Sequence, residues 1–152
     1  MFNKSMLGRD TCRLLVERLQ ELKPKVAVEF GSGFSTALLA LYSDTLVSLE
    51  NSVKYAAPWP CVRICKIEAG RYVTTLPDGV EFVLIDGPIA RRYGRQETLP
   101  QVWPHLASNY EVWLDDFKRP HEKQIVRAWR NTYPIQVQRV NTAKGLAIIR
   151  PA

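Results

Sequence analysis

The residue types best suited to chemistry lie close together early in the chain: Glu29, Gly31, Ser32, Gly33 and Ser35, then Glu50. A short apolar run, Val26-Ala27-Val28, leads into Glu29 and Phe30, and the two glycines follow. Glycines at this spacing let the backbone turn tightly and approach a ligand that a side chain would block. A second apolar stretch, Leu46-Val47-Ser48-Leu49, ends in Glu50, 17 residues beyond Gly33. An acid at the carboxyl end of a second strand is placed to accept hydrogen bonds from two ribose hydroxyls. Strand, glycine turn, helix, strand, acid is the layout of a nucleotide-type cofactor site.

The details favour S-adenosylmethionine over a dinucleotide. A dinucleotide loop reads G-x-G-x-x-G, its third glycine packing the helix close so that its N-terminus meets a pyrophosphate. Here the run is Gly31-Ser32-Gly33-Phe34-Ser35-Thr36. Glu29 would repel a pyrophosphate, whereas it suits a ligand that carries an ammonium and a sulfonium.

On these residues the chain resembles the class I S-adenosylmethionine-dependent methyltransferases. Glu29-Phe30-Gly31-Ser32-Gly33 is similar to their first motif and Glu50 to their ribose-binding acid. Ile67-Glu68-Ala69-Gly70-Arg71 stands where many members flank the adenine, Phe82-Val83-Leu84-Ile85-Asp86-Gly87 resembles the fourth-strand motif, and Val112-Trp113-Leu114-Asp115-Asp116 the end of the fifth. Ser35 replaces the third loop glycine, and Glu68 an aspartate. The resemblance implies that Glu29 takes the methionine ammonium and that the Gly31–Ser35 backbone, with Ser32 and Gly33, lines the methionine. It further implies that Glu68 and Ala69 flank adenine and that Asp86 borders the cofactor.

Asp86, Asp115 and Asp116 fall at the carboxyl ends of neighbouring strands, where open parallel sheets bind ligands. Clustered hard oxygens with little to neutralise them suit Mg²⁺ or Ca²⁺. The set is also similar to the metal site of catechol-type O-methyltransferases, with Asp116 at the position of an asparagine. Helix capping or pairing with Arg119 is the alternative, and direct catalysis by the acids a third. The lysine that serves that family as base corresponds to Ile89, so the base stays unassigned; Lys118, Arg91 and Arg92 are the nearest cations. Arginine keeps its proton at any working pH. Arg91, Arg92 and Arg95 leave the fourth strand together and could clamp an anionic acceptor, or could instead pair with the three acids.

These groups need elements to hold them. Apolar runs and turn signals predict strands at about 25–30, 45–49, 62–67, 81–85 and 110–114, with helices near 35–42, 52–57, 70–76, 96–107 and 119–131. A helix over about 5–22 precedes them, capped by Ser5 or Asp10, and a strand pair at 135–140 and 145–150 closes the chain as a hairpin. The strands are short and continuously apolar, as in a sheet covered on both faces. The expectation is one domain over 1–152: a Rossmann-like three-layer α/β sandwich whose seven-stranded, mostly parallel sheet has an antiparallel C-terminal strand.

Bulk properties set wider limits. The chain has 152 residues, 46% hydrophobic, with a net charge of +6. No apolar run approaches a membrane span, and no signal-peptide block opens the chain. Three cysteines and two histidines show no zinc spacing, so free thiols and a cytoplasmic location are expected. With no evident basic or aromatic nucleic-acid platform, the acceptor is expected to be a small molecule, a hydroxyl on an anionic compound. An RNA or protein methyltransferase is the alternative, as is a nucleoside-cofactor-binding domain without methyl transfer.

Overall fold

The computed structural model describes residues 6–89 and 92–152. Helix α1 (Arg9–Leu22) is followed by β1 (Val26–Phe30), α2 (Phe34–Tyr42), β2 (Thr45–Glu50) and β3 (Val62–Ile64). A small ribbon, β4 (Ile67–Glu68) with β5 (Arg71–Tyr72), precedes β6 (Val80–Ile85) and the short α3 (Thr98–Val102). Then come β7 (Leu106–Asp115), α4 (Pro120–Thr132), β8 (Ile135–Val140) and β9 (Leu146–Pro151).

Seven strands form one sheet in the order β3-β2-β1-β6-β7-β9-β8. All neighbours run parallel except β9, which is antiparallel to both β7 and β8. Alternation along each strand splits the core in two. Val28, Phe30, Val83, Ile85, Val112 and Leu114 pack with Leu99, Ile125 and Trp129 of α3 and α4 on one side. Ala27, Phe82, Leu84 and Trp113 pack with Leu15, Leu19 and Leu39 of α1 and α2 on the other. That is the expected three-layer sandwich. The Tyr72 and Tyr110 hydroxyls are buried in the first of these two cores without a hydrogen-bond partner among the described residues, whereas a charged group in the second is paired. Glu111, on the α1 side of β7, is held by Arg18 at 2.9 Å, Arg150 at 2.9 Å and the Trp113 indole at 2.7 Å.

The chain runs outward from β1 to β2 and β3, then returns to place β6 on the other side of β1. The sheet therefore has a topological switch point between β1 and β6, and ligands bind above the carboxyl ends at such points.

Several connections differ from the sequence expectation. No helix forms at 52–57, where Pro58 and Pro60 cannot donate and Glu50 captures the Asn51 and Ser52 amides at 2.8 and 3.0 Å. The 70–76 helix is replaced by the β4–β5 ribbon: Ala69 and Gly70 both have positive φ, 50° and 78°, and make a two-residue turn of the type that right-twisted ribbons favour. The helix expected over 96–107 shrinks to α3, which carries Pro100 in its first turn, and a single 3-10 turn containing Pro104, whose missing N–H cannot continue the helix, and β7 starts at Leu106. Helix α1 begins at Arg9 with Gly8 as its cap residue. Asp10 sits inside its first turn instead, accepting from the Ala143 amide at 2.6 Å, and Ser5 lies outside the described residues.

Candidate active site

The loop after β1 is built around a contact between two backbones. Gly31 has φ +90°, and a Cβ there would lie 2.8 Å from the Gly87 nitrogen in the loop after β6; one on Gly87 would lie 2.7 Å from the Gly31 Cα. Two glycines thus let the loops flanking the switch point abut. Gly33 differs: a Cβ there would meet nothing within 4 Å. Since Gly33 lines the cleft, any side chain on it would project into the space beyond the loop. Helix α2 starts at once, Gly33 donating its amide to the Thr36 hydroxyl at 2.9 Å.

The cleft holds about 480 Å³, within the usual range for small-molecule sites. Gly31, Ser32, Gly33, Phe34 and Ser35 form one wall; Lys54 and Tyr55 flank it, and Met6 and Leu7 border it from the N-terminal segment. Asp86, Ile89, Arg95, Asp116, Arg119 and Lys144 complete it.

Glu29 is not on this surface, which corrects its expected contact with a ligand ammonium. It is fully buried beneath the loop, and three hydroxyls donate to it: Ser35, Thr36 at 2.6 Å and Ser48 at 2.6 Å. Burial pushes its pKa up to about 7, against the pull of those three donors. The carboxyl fixes β1, the head of α2 and β2 to one another, and so shapes the glycine loop from below.

Glu50 closes β2 as expected and is nearly buried. One oxygen accepts the Ser32 amide at 3.2 Å, and the other the Asn51 and Ser52 amides. It therefore ties the glycine loop to the turn after β2. Ser32 extends the link, accepting from the Ala57 amide at 3.0 Å. Glu68 and Ala69 are exposed at the turn of the β4–β5 ribbon and do not line the cleft, in contrast to their expected adenine-side position.

Asp86, Asp115 and Asp116 do converge, each offering an oxygen within 4.8 Å of the others. The expectation that little neutralises them is corrected. Arg95 reaches Asp116 at 3.1 Å and Asp86 at 3.6 Å; Arg119 reaches Asp116 at 3.1 Å; Lys144 reaches Asp115 at 3.3 Å and Asp116 at 3.5 Å. Three cations face three acids, so a divalent cation would have to displace or oppose them. The set fits Mg²⁺ or Ca²⁺ poorly. Burial and then Asp115 raise the Asp86 carboxyl well above its usual range, and burial and then Asp116 raise Asp115. Asp115 is wholly enclosed, and one of its oxygens has no hydrogen-bond partner among the described residues. Asp86 and Asp116 alone of the three open on the cleft.

Of the two roles open to Arg95, clamping an acceptor or pairing with the acids, the structure has the second: it is buried, its guanidinium also donating to the carbonyls of Asp86 at 3.0 Å, Pro88 at 3.3 Å and Asp115 at 3.3 Å. Arg92 is exposed, its guanidinium 5.3 Å from the Tyr93 ring centroid, and Arg91 lies outside the described residues.

Lys144 was not singled out from the sequence. The register of β9 delivers it: Asp115 pairs with Leu146, so the preceding turn runs beside the loop after β7. There the Phe117 and Lys118 amides bond the Gly145 and Lys144 carbonyls at 3.1 and 3.0 Å. Gly145 has φ +80°, and a Cβ on it would lie 2.6 Å from the Lys118 nitrogen. The Lys144 ammonium then spans Asp115, Asp116 and the Met6 carbonyl at 2.8 Å. Burial lowers its pKa, but Asp115 and Asp116 more than offset this, so it is held protonated and is no base. The hairpin turn at 141–145 beside Asp115 was the available signal.

No family model and no curated protein matches the chain. Solved structures share its fold. An SAH-bound methyltransferase of Podospora anserina aligns with a TM-score of 0.74 at 18% identity, covering 97% of this chain and 80% of that one. An O-methyltransferase from Bacillus cereus in complex with SAH gives 0.74 at 12% identity, over 99% and 84%. A precorrin 8W decarboxylase from Methanobacterium thermoautotrophicum gives 0.69 at 15% identity, over 100% and 96%. The chain has the Rossmann-like α/β fold that these proteins share.

Proposed function

We propose that this protein transfers the methyl group of S-adenosylmethionine to a hydroxyl on an anionic acceptor small enough for the cleft. The observation that carries this reading is the glycine loop at the switch point, where the missing side chain of Gly33 leaves room for a ligand. The Gly31–Ser35 backbone would hold the methionine portion and Glu50, with Ser32, the ribose side. When bound, S-adenosylmethionine supplies an electrophilic methyl on a sulfonium. The rest is positioning, which can account for most of such a displacement. Met6, Leu7, Phe34 and Ile89 give the cleft its apolar lining. Asp86 is the group suited to accept the proton that the hydroxyl releases, because it opens on the cleft and its raised pKa brings it nearer the working range of a base. Arg119, half exposed beside Asp116, is the cation on that side that an anionic acceptor would meet. Two of the fold's solved relatives carry SAH, which supports the cofactor.

Calorimetric titration with S-adenosylmethionine, S-adenosylhomocysteine and NAD tests the reading. Binding of both S-adenosyl ligands and not NAD is expected, and the opposite pattern would overturn it. A methyl-transfer screen over neutral, anionic and cationic hydroxyl compounds then tests the acceptor.

A further inference from the structure

The positive charge of this chain is unevenly placed. Residues 117–152 carry eight Lys and Arg against one acid, Glu122, whereas the preceding 116 residues carry 13 against 14. Glu122 is fully buried. The surface of this last part is therefore of one sign, a pattern associated with polyanion binding. Its centre is α4, where Ile125, Val126 and Trp129 face the core. Lys123, Arg127 and Arg130 are exposed at i, i+4 and i+7, along one flank of the helix. They rise by about 6 Å and then about 4.5 Å, the scale on which phosphates repeat along a strand. Among the described residues none of the three makes an ion pair. The exposed Lys118 and Arg139 extend the stripe, the latter 5.6 Å from the Phe117 ring centroid.

We propose that this face of α4 binds the phosphate backbone of a single-stranded nucleic acid. Two further observations select that partner. The stripe runs to the cleft, because Arg119 caps α4 and lines the cleft wall. In the cleft, Phe34 and Tyr55 are 52% and 45% exposed, aromatic faces on which a base can stack. An anionic membrane is disfavoured, since every large exposed hydrophobic among the described residues precedes residue 90 and none lies on α4. A nucleotide of the bound strand is an anionic hydroxyl compound of a size the cleft admits. Its presentation there rests on the cofactor reading above; the docking on α4 does not. The sequence alone had shown no such platform, because the stripe exists only once the helix is wound.

The test is fluorescence anisotropy of the full chain with a labelled 15-nucleotide single-stranded RNA and its DNA counterpart, across a salt series. Binding is expected to both, with log affinity falling linearly in log salt. The triple variant K123E/R127E/R130E should weaken binding at least tenfold and reduce the salt slope by about 2, at about 0.7 per lost contact. A control of equal charge change, K23E/K25E/K66E, should change affinity less than threefold. K123Q/R127Q/R130Q replaces the reversal if that variant does not fold. Absence of RNA binding at low salt, equal loss in control and test variants, or tighter binding of anionic vesicles or polyglutamate would overturn the proposal. S-adenosylhomocysteine calorimetry on the same proteins separates the readings: cofactor binding without nucleic acid refutes only this inference, and nucleic acid without cofactor refutes only the other.

Discussion

Replacing Glu29 by Gln should abolish a specific pH dependence of stability. In the folded protein the Glu29 pKa stands at about 7 against an ordinary 4.5. The native state thus holds this proton more tightly than the unfolded chain does, and between those values unfolding releases it. Stability falls as pH rises through that window. At about 1.4 kcal/mol per pH unit, the full loss comes to roughly 3 kcal/mol, complete above the native pKa. A glutamine keeps the shape and can exchange hydrogen bonds with the Ser35, Thr36 and Ser48 hydroxyls, since hydroxyls both donate and accept. Urea unfolding of wild type and Glu29→Gln, followed by circular dichroism at pH 5 and pH 8, gives the comparison. Asp86 and Asp115 contribute a dependence of the same sign, but they are present in both proteins and cancel. The variant should gain on wild type by about 2.5 kcal/mol between the two pH values, or roughly 5–10 °C in Tm for a chain of this size. A gap that stays constant with pH would mean that Glu29 titrates normally, and that the three hydroxyls, not burial, dominate its environment.

Glu50→Ala should weaken S-adenosylhomocysteine binding by roughly 2–3 kcal/mol and also loosen the Ser32 loop, read by calorimetry and thermal melting; unchanged affinity would remove Glu50 from the site. Millimolar Mg²⁺ or Ca²⁺ should leave the wild-type Tm unmoved, since Arg95, Arg119 and Lys144 already neutralise the acids; a rise of several degrees would restore the metal reading. Lys144→Met should destabilise the protein by about 2 kcal/mol at pH 8 and by less at pH 5, where Asp86 and Asp115 take up protons more readily; equal losses at both would deny the coupling. Gly31→Ala should cost at least about 2 kcal/mol in urea unfolding, from its positive φ and the collision with Gly87, while Gly33→Ala should fold normally and act only on ligand affinity.

The parts of this molecule that were legible in the sequence are those where local pattern and tertiary role agree. Val26–Phe30 and Val80–Ile85 read as buried parallel strands because both of their faces are covered. The final hairpin read as antiparallel because its two strands leave no room for a crossover. Where Pro58, Pro60 and Pro104 interrupt an otherwise helical composition, helix propensity lost. The Ala69-Gly70 turn escaped notice because one of its two residues is not glycine. In the site, the converging acids were predictable from strand ends, and Arg95 and Arg119 were legible as candidate partners for them, but Lys144 was not. For Arg95 the sequence left open both an outward clamp and a pairing with the acids, since nothing local says that an arginine nine residues beyond Asp86 folds back on it. Lys144 lies 29 residues from Asp115 and meets it only through strand register. Glu29 shows the reverse difficulty: its position was read correctly, but which way an acid points at the end of a strand depends on the pleat and on three hydroxyls from other elements.

The Lys144 ammonium bonds the Met6 carbonyl across 138 residues of chain, while the bonds that hold Glu29 span at most 19. The two sides of the cleft therefore depend on different parts of the molecule for their persistence. The bonds to Glu29 beneath the glycine loop all lie within one strand-helix-strand unit in the middle of the sheet. The acidic side is clasped by the N-terminal segment and by the turn before β9, which lie far apart in the sequence. A change at the Met6 contact would loosen Lys144, and with it one cation of Asp115 and Asp116, without touching a bond to Glu29. The two walls of the cleft can therefore be perturbed separately, one through the contacts of Lys144 and the other through the hydroxyls around Glu29.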